Sequence, residues 1–107
     1  MEGERWDDIL DALADPYRRQ LLVAMLEENP QQDDDVDPLN TVNHAEVDTE
    51  ALRTRLVHQH LPKLEQLGFI EWNRETGDIS KGPDWEEVAP LLRLIQEHRH
   101  DLPDGWL

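Results

Sequence analysis

Five histidines and 25 carboxylates are the side chains in this sequence that could bind a metal or transfer protons. His58 and His60 are two residues apart, so a helix directs them to different sides. His98 and His100 have the same spacing, and the chain has no cysteine to complete a zinc site. The five glycines are scattered rather than grouped in a phosphate loop. We therefore expect a protein that is not an enzyme and has neither a metal site nor a cofactor.

A second set of polar residues lies on a predicted helix between residues 48 and 68. One face of this helix is apolar except for one histidine and consists of Leu52, Leu56, His60, Leu64 and Leu67. On a helical wheel, the side chains that point away from it are Arg55, His58, Gln59 and Gln66. Guanidinium, imidazole and amide groups can bond to base edges in the major groove. An ordinary solvated helix face has a similar composition, so both interpretations remain open.

The order of elements around this helix predicts its place in a fold. Asp48 or Thr49 caps its start, and Gly68 ends it as a C-terminal glycine does. The alternation after Gly68 and the turn around Gly77 predict a hairpin at about Phe69–Lys81. Helix, glycine, strand, turn and strand together indicate the recognition helix and wing of a winged helix-turn-helix domain. Pro62 should kink this helix, because it removes the hydrogen bond to the carbonyl of His58.

Two helices are predicted before this unit. The apolar stripe of the first consists of Trp6, Ile9, Leu10 and Leu13. Asp15 and Pro16 begin the second, and its inner face consists of Tyr17, Leu21, Leu22, Met25 and Leu26. Arg18 and Arg19 lie beside that face, and we favour solvation or an ion pair with Asp11 or Asp15 over phosphate contact.

The remaining segments are a loop and an added helix. Residues 29–40 are polar and acidic and predict a loop, whereas residues 39–42 could form a strand that pairs with the wing. Asp84 precedes a helical pattern that Pro90 interrupts, so the regular helix is expected from about Pro90 to Arg99. The whole chain of 107 residues then forms a single α+β, mainly helical, winged-helix domain with a two- or three-stranded wing and an added C-terminal helix.

Charge gives conflicting indications about nucleic acid. The formal net charge of −15 argues against binding to phosphates. Residues 51–81, however, carry five basic and four acidic residues, and the segments before and after them are all negative. A cytoplasm of high salt would also favour an acidic surface and shorten the range of repulsion. Uneven placement of charge, or chance in a small sample, explains the pattern equally well.

Two motifs together resemble a known family. Residues 13–22, Leu-Ala-Asp-Pro-Tyr-Arg-Arg-Gln-Leu-Leu, resemble the opening of ArsR-like winged-helix regulators. Residues 57–70, Val-His-Gln-His-Leu-Pro-Lys-Leu-Glu-Gln-Leu-Gly-Phe-Ile, resemble their recognition helix and first wing strand. With the acidic composition, the chain is most similar to the small winged-helix proteins of salt-loving archaea.

The resemblance implies a dimeric transcription regulator that binds double-stranded DNA. The side chains that would face DNA are Arg53, Thr54, Arg55, His58 and Gln59, with Arg74 and Lys81 in the wing. Lys63, in the last turns of the same helix, completes this candidate set. The alternative is a winged-helix module that binds another protein through its acidic surface and does not bind DNA. Metal sensing does not carry over, because the family's metal sensors use cysteine ligands.

Aromatic and apolar residues at the two ends of the chain indicate a homodimer. The predicted interface consists of Trp6, Trp85, Leu91, Leu92, Ile95 and Trp106. Aromatic residues are enriched at interfaces, and this apolar surface is wider than one helical stripe. No apolar stretch is long enough to span a membrane, and residues 1–5 do not resemble a signal peptide. A cytoplasmic protein without a membrane partner is therefore expected.

Overall fold

The computed structural model describes residues 2–27, 38 and 48–104, with side chains described from Arg5 onward. The helices are α1 (Glu2–Ala12), α2 (Pro16–Glu27), α3 (Thr49–Arg55), α4 (Leu61–Gln66) and α5 (Trp85–Glu97). A π-helical turn (Leu56–His60), strands β1 (Ile70–Trp72) and β2 (Ile79–Lys81), and a 3-10 turn (Arg99–Asp101) complete the order. The protein is thus mainly helical with a two-stranded antiparallel sheet, as predicted. Apart from Pro38, the predicted loop at 29–40 and strand at 39–42 lie outside the described residues.

Residues 49–66 form a single helical run, which we call the central helix, made of α3, the π-helical turn and α4. The Asp48 carboxylate accepts a hydrogen bond from the Glu50 backbone N–H at 3.2 Å, which caps the start of the helix. Near Pro62 the helix widens, and the Leu61 N–H bonds to the carbonyl of Leu56, five residues back. A proline ring crowds the carbonyl four residues before it. The expected interruption therefore takes the form of a π-helical turn just before Pro62.

The central helix ends in a Schellman motif that leads into the wing. The Phe69 N–H bonds to the Leu64 carbonyl at 3.1 Å, and the Gly68 N–H bonds to the Glu65 carbonyl at 3.0 Å. Gly68 has φ +85, a conformation that a side chain would strain. Strands β1 and β2 then pair with Ile70 opposite Lys81. The hairpin predicted at about Phe69–Lys81 is confirmed.

One cluster of buried apolar side chains draws on each of the five helices and two strands given above. Its largest fully buried members include Leu21, Leu22, Leu52, Leu64, Phe69 and Leu92. Burying one such side chain contributes about 1.5–3 kcal/mol. The apolar face predicted for the central helix is confirmed at Leu52, Leu56, His60 and Leu64, all of which are buried. This packing presents the opposite face of the central helix to solvent.

Two predictions about the terminal helices are wrong. In α1, the predicted stripe is confirmed at Ile9 and Leu13, but Trp6 and Leu10 are 49% and 56% exposed, because the helix turns Ala12 toward the core instead. At the C-terminal end, the regular helix was expected to begin near Pro90, but α5 begins at Trp85 and includes Pro90. Pro90 lies early in the helix and is exposed, so it removes one hydrogen bond without forcing its ring into the core.

Candidate nucleic-acid interface

The exposed face of the central helix carries five of the eight predicted DNA contacts. Arg53, Thr54, Arg55, His58 and Gln59 are all exposed. Residues 51–64 contain no carboxylate, although the chain has 25. The face is therefore free of acidic side chains within the helix segment that forms it.

Two basic residues of the central helix are paired with acids, one just before the acid-free segment and one in α1. Arg53 donates a hydrogen bond to the Glu50 carboxylate at 2.9 Å. Lys63 lies 2.6 Å from the carboxylate of Asp11 in α1, and its hydrogen bond lowers the pKa of Asp11 below the ordinary range. The Thr54 hydroxyl donates to the backbone carbonyl of Glu50 at 2.9 Å. These three polar groups already have partners, which a DNA phosphate would have to replace.

Arg74, in the wing turn, is also paired. Its two terminal nitrogens donate to the Glu65 carboxylate at 2.8 and 3.0 Å, so the pair is bidentate. The guanidinium also lies 4.2 Å from the centre of the Trp72 ring. The hydrogen bond from Arg74 lowers the pKa of Glu65 below its usual value. These contacts tie the wing turn to the end of the central helix.

Lys81 occupies a different environment from the other candidate residues. Its amine lies 5.5 Å from the centre of the Trp85 ring, and the residue is half-buried. Lys81 thus belongs to the contact between β2 and the start of α5.

Three candidate residues have no hydrogen-bond, ion-pair or aromatic-ring partner among the residues that the structure describes: Arg55, His58 and Gln59. Arg55 and Gln59 are four residues apart, and His58 is three after Arg55, so they are neighbours on one helix face. The structure therefore brings together three polar side chains whose hydrogen-bonding groups are available to a ligand. The helical-wheel prediction selects the same three, together with Gln66, which is also exposed.

A groove of about 280 Å³ separates the central helix from the wing. Its lining residues are Pro38, Arg53, Leu56, Val57, Leu61, Trp72, Thr76 and Gly77. The indole Nε1 of Trp72 is buried and has no hydrogen-bond partner within the described part of the chain. The groove marks the border between the exposed helix face and the wing.

Sequence reasoning missed two arginines that hold the helix in place. Arg18, interpreted as solvated or ion-paired, is only 6% exposed and bonds to backbone carbonyls and to His60. Arg5 forms ion pairs with Asp84 and Glu87 and lies 5.0 Å from the centre of the Phe69 ring. A hydrogen bond with Glu87 raises the pKa of Arg5. An arginine beside an otherwise apolar helix face was the available sequence signal for Arg18.

The predicted dimer residues divide into three groups. Trp85 and Leu92 are 4% and 0% exposed and belong to the core of the single chain, so they cannot supply interface area. Leu91 and Ile95 are half-buried, and Trp6 is exposed. Trp106 lies outside the described residues. Trp85 and Leu92 were predicted at an interface because the apolar surface of α5 is wider than one stripe. In the structure, both side chains pack against the rest of their own chain.

Neither a membrane span nor a metal cluster is found in the described ranges. No helix among residues 2–27 and 48–104 is long and apolar enough to cross a bilayer. The same ranges contain no group of three or more histidine, aspartate or glutamate side chains arranged to hold a metal ion.

The fold gives the structural class of the chain, and a match to a family model gives its family. A helix that ends in a glycine and leads into a two-stranded wing, in a mainly helical α+β chain, is a winged-helix-like arrangement. The chain belongs to the family described as Domain of unknown function (DUF7344), which matches residues 10–80. That range includes the central helix and most of the wing. No curated protein and no solved structure matches the chain.

Proposed function

We propose that the protein is a DNA-binding transcription regulator of the ArsR-like winged-helix type, and that its central helix enters the major groove. The observation that carries the proposal is the acid-free exposed face with Arg55, His58 and Gln59 unpaired among the described residues. Arginine bonds well to guanine edges and glutamine to adenine edges. These side chains would read bases, whereas the wing would lie along the backbone.

The ion pairs of the other basic residues set the strength of this binding. Arg53, Lys63 and Arg74 each have a carboxylate partner, so a phosphate gains less from them than from free cations. The net charge of −15 adds long-range repulsion. We therefore expect weak non-specific binding and a shallow dependence of affinity on salt, because few counterions are released for each protein bound.

The test begins with selection of duplexes from genomic DNA fragments at high potassium chloride. Affinity for a selected site is then measured for the natural chain and for Arg55→Ala and His58→Ala. Each substitution should weaken specific binding by about 1–3 kcal/mol, the cost of one good base contact. Folding should be unchanged, because both side chains are exposed.

Arg99→Ala provides the matched control. It also removes one exposed arginine charge, but from the 3-10 turn after α5 rather than from the central helix. Its affinity should equal that of the natural chain. Equal affinities for all three variants, or loss of binding in Arg99→Ala as well, would contradict the proposed role of the central helix.

A second candidate function is a protein-interaction module. The observation that favours it is the pairing of Arg53, Lys63 and Arg74 with carboxylates, which leaves Arg55 as the unpaired arginine of the candidate set within the described ranges. A basic partner protein would then bind the acidic surface. Absence of a selected duplex at any salt concentration, with the chain folded, would favour this candidate.

We propose that the regulator is a homodimer held by its terminal helices. Trp6 and Leu10 lie four residues apart on α1, and Leu94 on α5 is 53% exposed. These large apolar side chains support an interface in place of the buried Trp85 and Leu92. Sedimentation at several salt concentrations should show a dimer that tightens as salt screens the repulsion between two acidic chains.

A substitution tests which helix forms the interface. Trp6→Ala removes exposed apolar area from α1 and should shift the sedimentation profile toward monomer. Thr76→Ala, at an exposed position in the wing turn, should leave the profile unchanged. A monomer at every salt concentration would contradict the dimer.

A further inference from the structure

Arg18 is a buried arginine that connects three elements of the fold. Its Nε donates to the Ala12 carbonyl at 3.0 Å, and its Nη2 donates to the Asp11 carbonyl at 3.0 Å. Its Nη1 lies 2.9 Å from Nδ1 of His60. Arg18 itself is in the first turn of α2, so one side chain joins α2, the end of α1 and the π-helical turn of the central helix.

The two carbonyls that Arg18 contacts lie at the C-terminal end of α1. The last carbonyls of a helix have no partner within it and carry partial negative charge. A guanidinium presents several donors in a fixed plane, which suits adjacent carbonyls. The α1 terminus therefore holds the guanidinium in position, with Nη1 directed at His60.

His60 can accept a hydrogen bond from Arg18 only when its Nδ1 carries no proton. The side chain is buried, and Nδ1 faces a group that only donates hydrogen bonds. Nδ1 must therefore be unprotonated, which places the proton of the neutral ring on Nε2. Nε2 lies 3.7 Å from the Asp15 carboxylate, and the ring packs edge-to-face with Tyr17, with 5.9 Å between the ring centres.

We propose that Arg18 is the residue that positions the central helix for DNA, through the acceptor nitrogen of neutral His60. His60 lies in the π-helical turn, and its neighbours in sequence, His58 and Gln59, are on the exposed face. A fixed His60 ring therefore fixes the orientation of that face. The effect of this contact on DNA binding rests on the proposed function, whereas the Arg18–His60 contact itself can be tested without DNA.

The charges around His60 determine the effect of pH. Burial lowers the pKa of His60, Asp15 opposes this shift, and Arg18 and Arg55 add to it. The unfolded chain then takes up a proton near the ordinary pKa of 6.5, and the folded chain does so only at lower pH. The stabilising contribution is thus present above pH 6.5 and is lost as the pH falls through the folded pKa.

The first experiment records the ring nitrogens of all histidines in the full chain by NMR as pH is lowered. His60 should show an unprotonated Nδ1 and a pKa below 6.5, the ordinary value for histidine. A proton on Nδ1, or a pKa of His60 at or above 6.5, would overturn the proposal. Arg18→Met keeps an unbranched stem but removes the donors, and it should raise the pKa of His60.

The second experiment separates positioning from general packing. His60→Asn keeps an acceptor near the position of Nδ1 but does not titrate, so it should retain DNA binding and lose the part of the acid dependence of stability that His60 contributes. His60→Leu has no acceptor and should bind DNA more weakly at every pH. Equal binding by the two variants would overturn the positioning role. If the natural chain also fails to bind DNA, the proposed function fails, and the ring measurements alone decide the Arg18–His60 contact.

Discussion

His58 and His60 are two residues apart on the central helix and lie in opposite environments. His60 is 1% exposed, contacts Arg18, and has a pKa lowered by burial. His58 is exposed and has no partner among the described residues. The same residue type therefore serves to hold the helix on one side and is available to a ligand on the other. Residue type alone does not distinguish the two roles, whereas position on the helix does.

The comparison extends along the whole helix. On the inner side, Leu52, Leu56 and Leu64 pack in the core. On the outer side, Arg55 and Gln59 have no hydrogen-bond or ion-pair partner among the described residues. Substitutions on the inner side should therefore change stability, and substitutions on the outer side should change binding.

The largest effect is expected for Leu64→Ala on the inner side. Leu64 is fully buried, so its truncation removes apolar contacts and leaves a cavity. The free energy of unfolding should fall by about 2–5 kcal/mol. The matched control, Gln66→Ala, is exposed on the same helix and should stay within about 0.5 kcal/mol of the natural chain. Chemical denaturation measures the free energy of unfolding of both variants. Similar values would contradict the assignment of Leu64 to the buried side of the helix and of Gln66 to its exposed side.

A smaller effect is expected where the helix ends. Gly68 and Gly77 have φ +85 and +83, so alanine should cost each about 1–2 kcal/mol in backbone strain. A Cβ on Gly68 would also lie 2.5 Å from an Asp84 carboxylate oxygen, whereas at Gly77 no atom lies within 4 Å. Turning Asp84 away would lose its contact with Arg5. Denaturation should show the larger loss for Gly68→Ala.

A double substitution sharpens that comparison. Asp84→Ala removes the side chain that the new Cβ would meet, so it should recover part of the loss in Gly68→Ala. Asp84→Ala should recover none of the stability lost in Gly77→Ala, because a Cβ on Gly77 would have no atom within 4 Å. Equal costs for the two glycine substitutions would show that strain alone determines the effect.

The smallest effect is expected for Glu65→Gln. The substitution removes the charge that pairs with Arg74 without changing the size of the side chain. Arg74 then becomes available to phosphate, and DNA affinity should rise by at most about fivefold, as expected for one surface ion pair. A fluorescence titration at fixed salt measures the change. Weaker binding would indicate that the ion pair holds the wing in its binding position.

Local patterns were enough to predict the central helix and the wing. Asp48, Gly68 and Gly77 act on their own neighbours through caps and turns, so the sequence reveals them. The roles of Arg5 and Arg18 depend on partners distant in sequence, such as Glu87 and His60, and no local pattern reveals those contacts.

The residues of the candidate site also divide into those that local patterns predict and those that depend on partners distant in sequence. Exposure of Arg55, His58 and Gln59 follows from helical periodicity. The pairing of Lys63 with Asp11 depends on how α1 packs against the central helix, so the sequence could not predict it. The placement of Trp85 and Leu92 in the core was missed for the same reason.

The most direct test of the account follows backbone and side-chain NMR signals during titration with the selected duplex at constant salt. Signals of Arg55, His58 and Gln59 should shift most, followed by those of the wing turn, whereas the His60 ring should keep its unprotonated Nδ1. Shifts centred on α1 and α5, with the exposed face of the central helix unchanged, would contradict the claim that this face binds DNA.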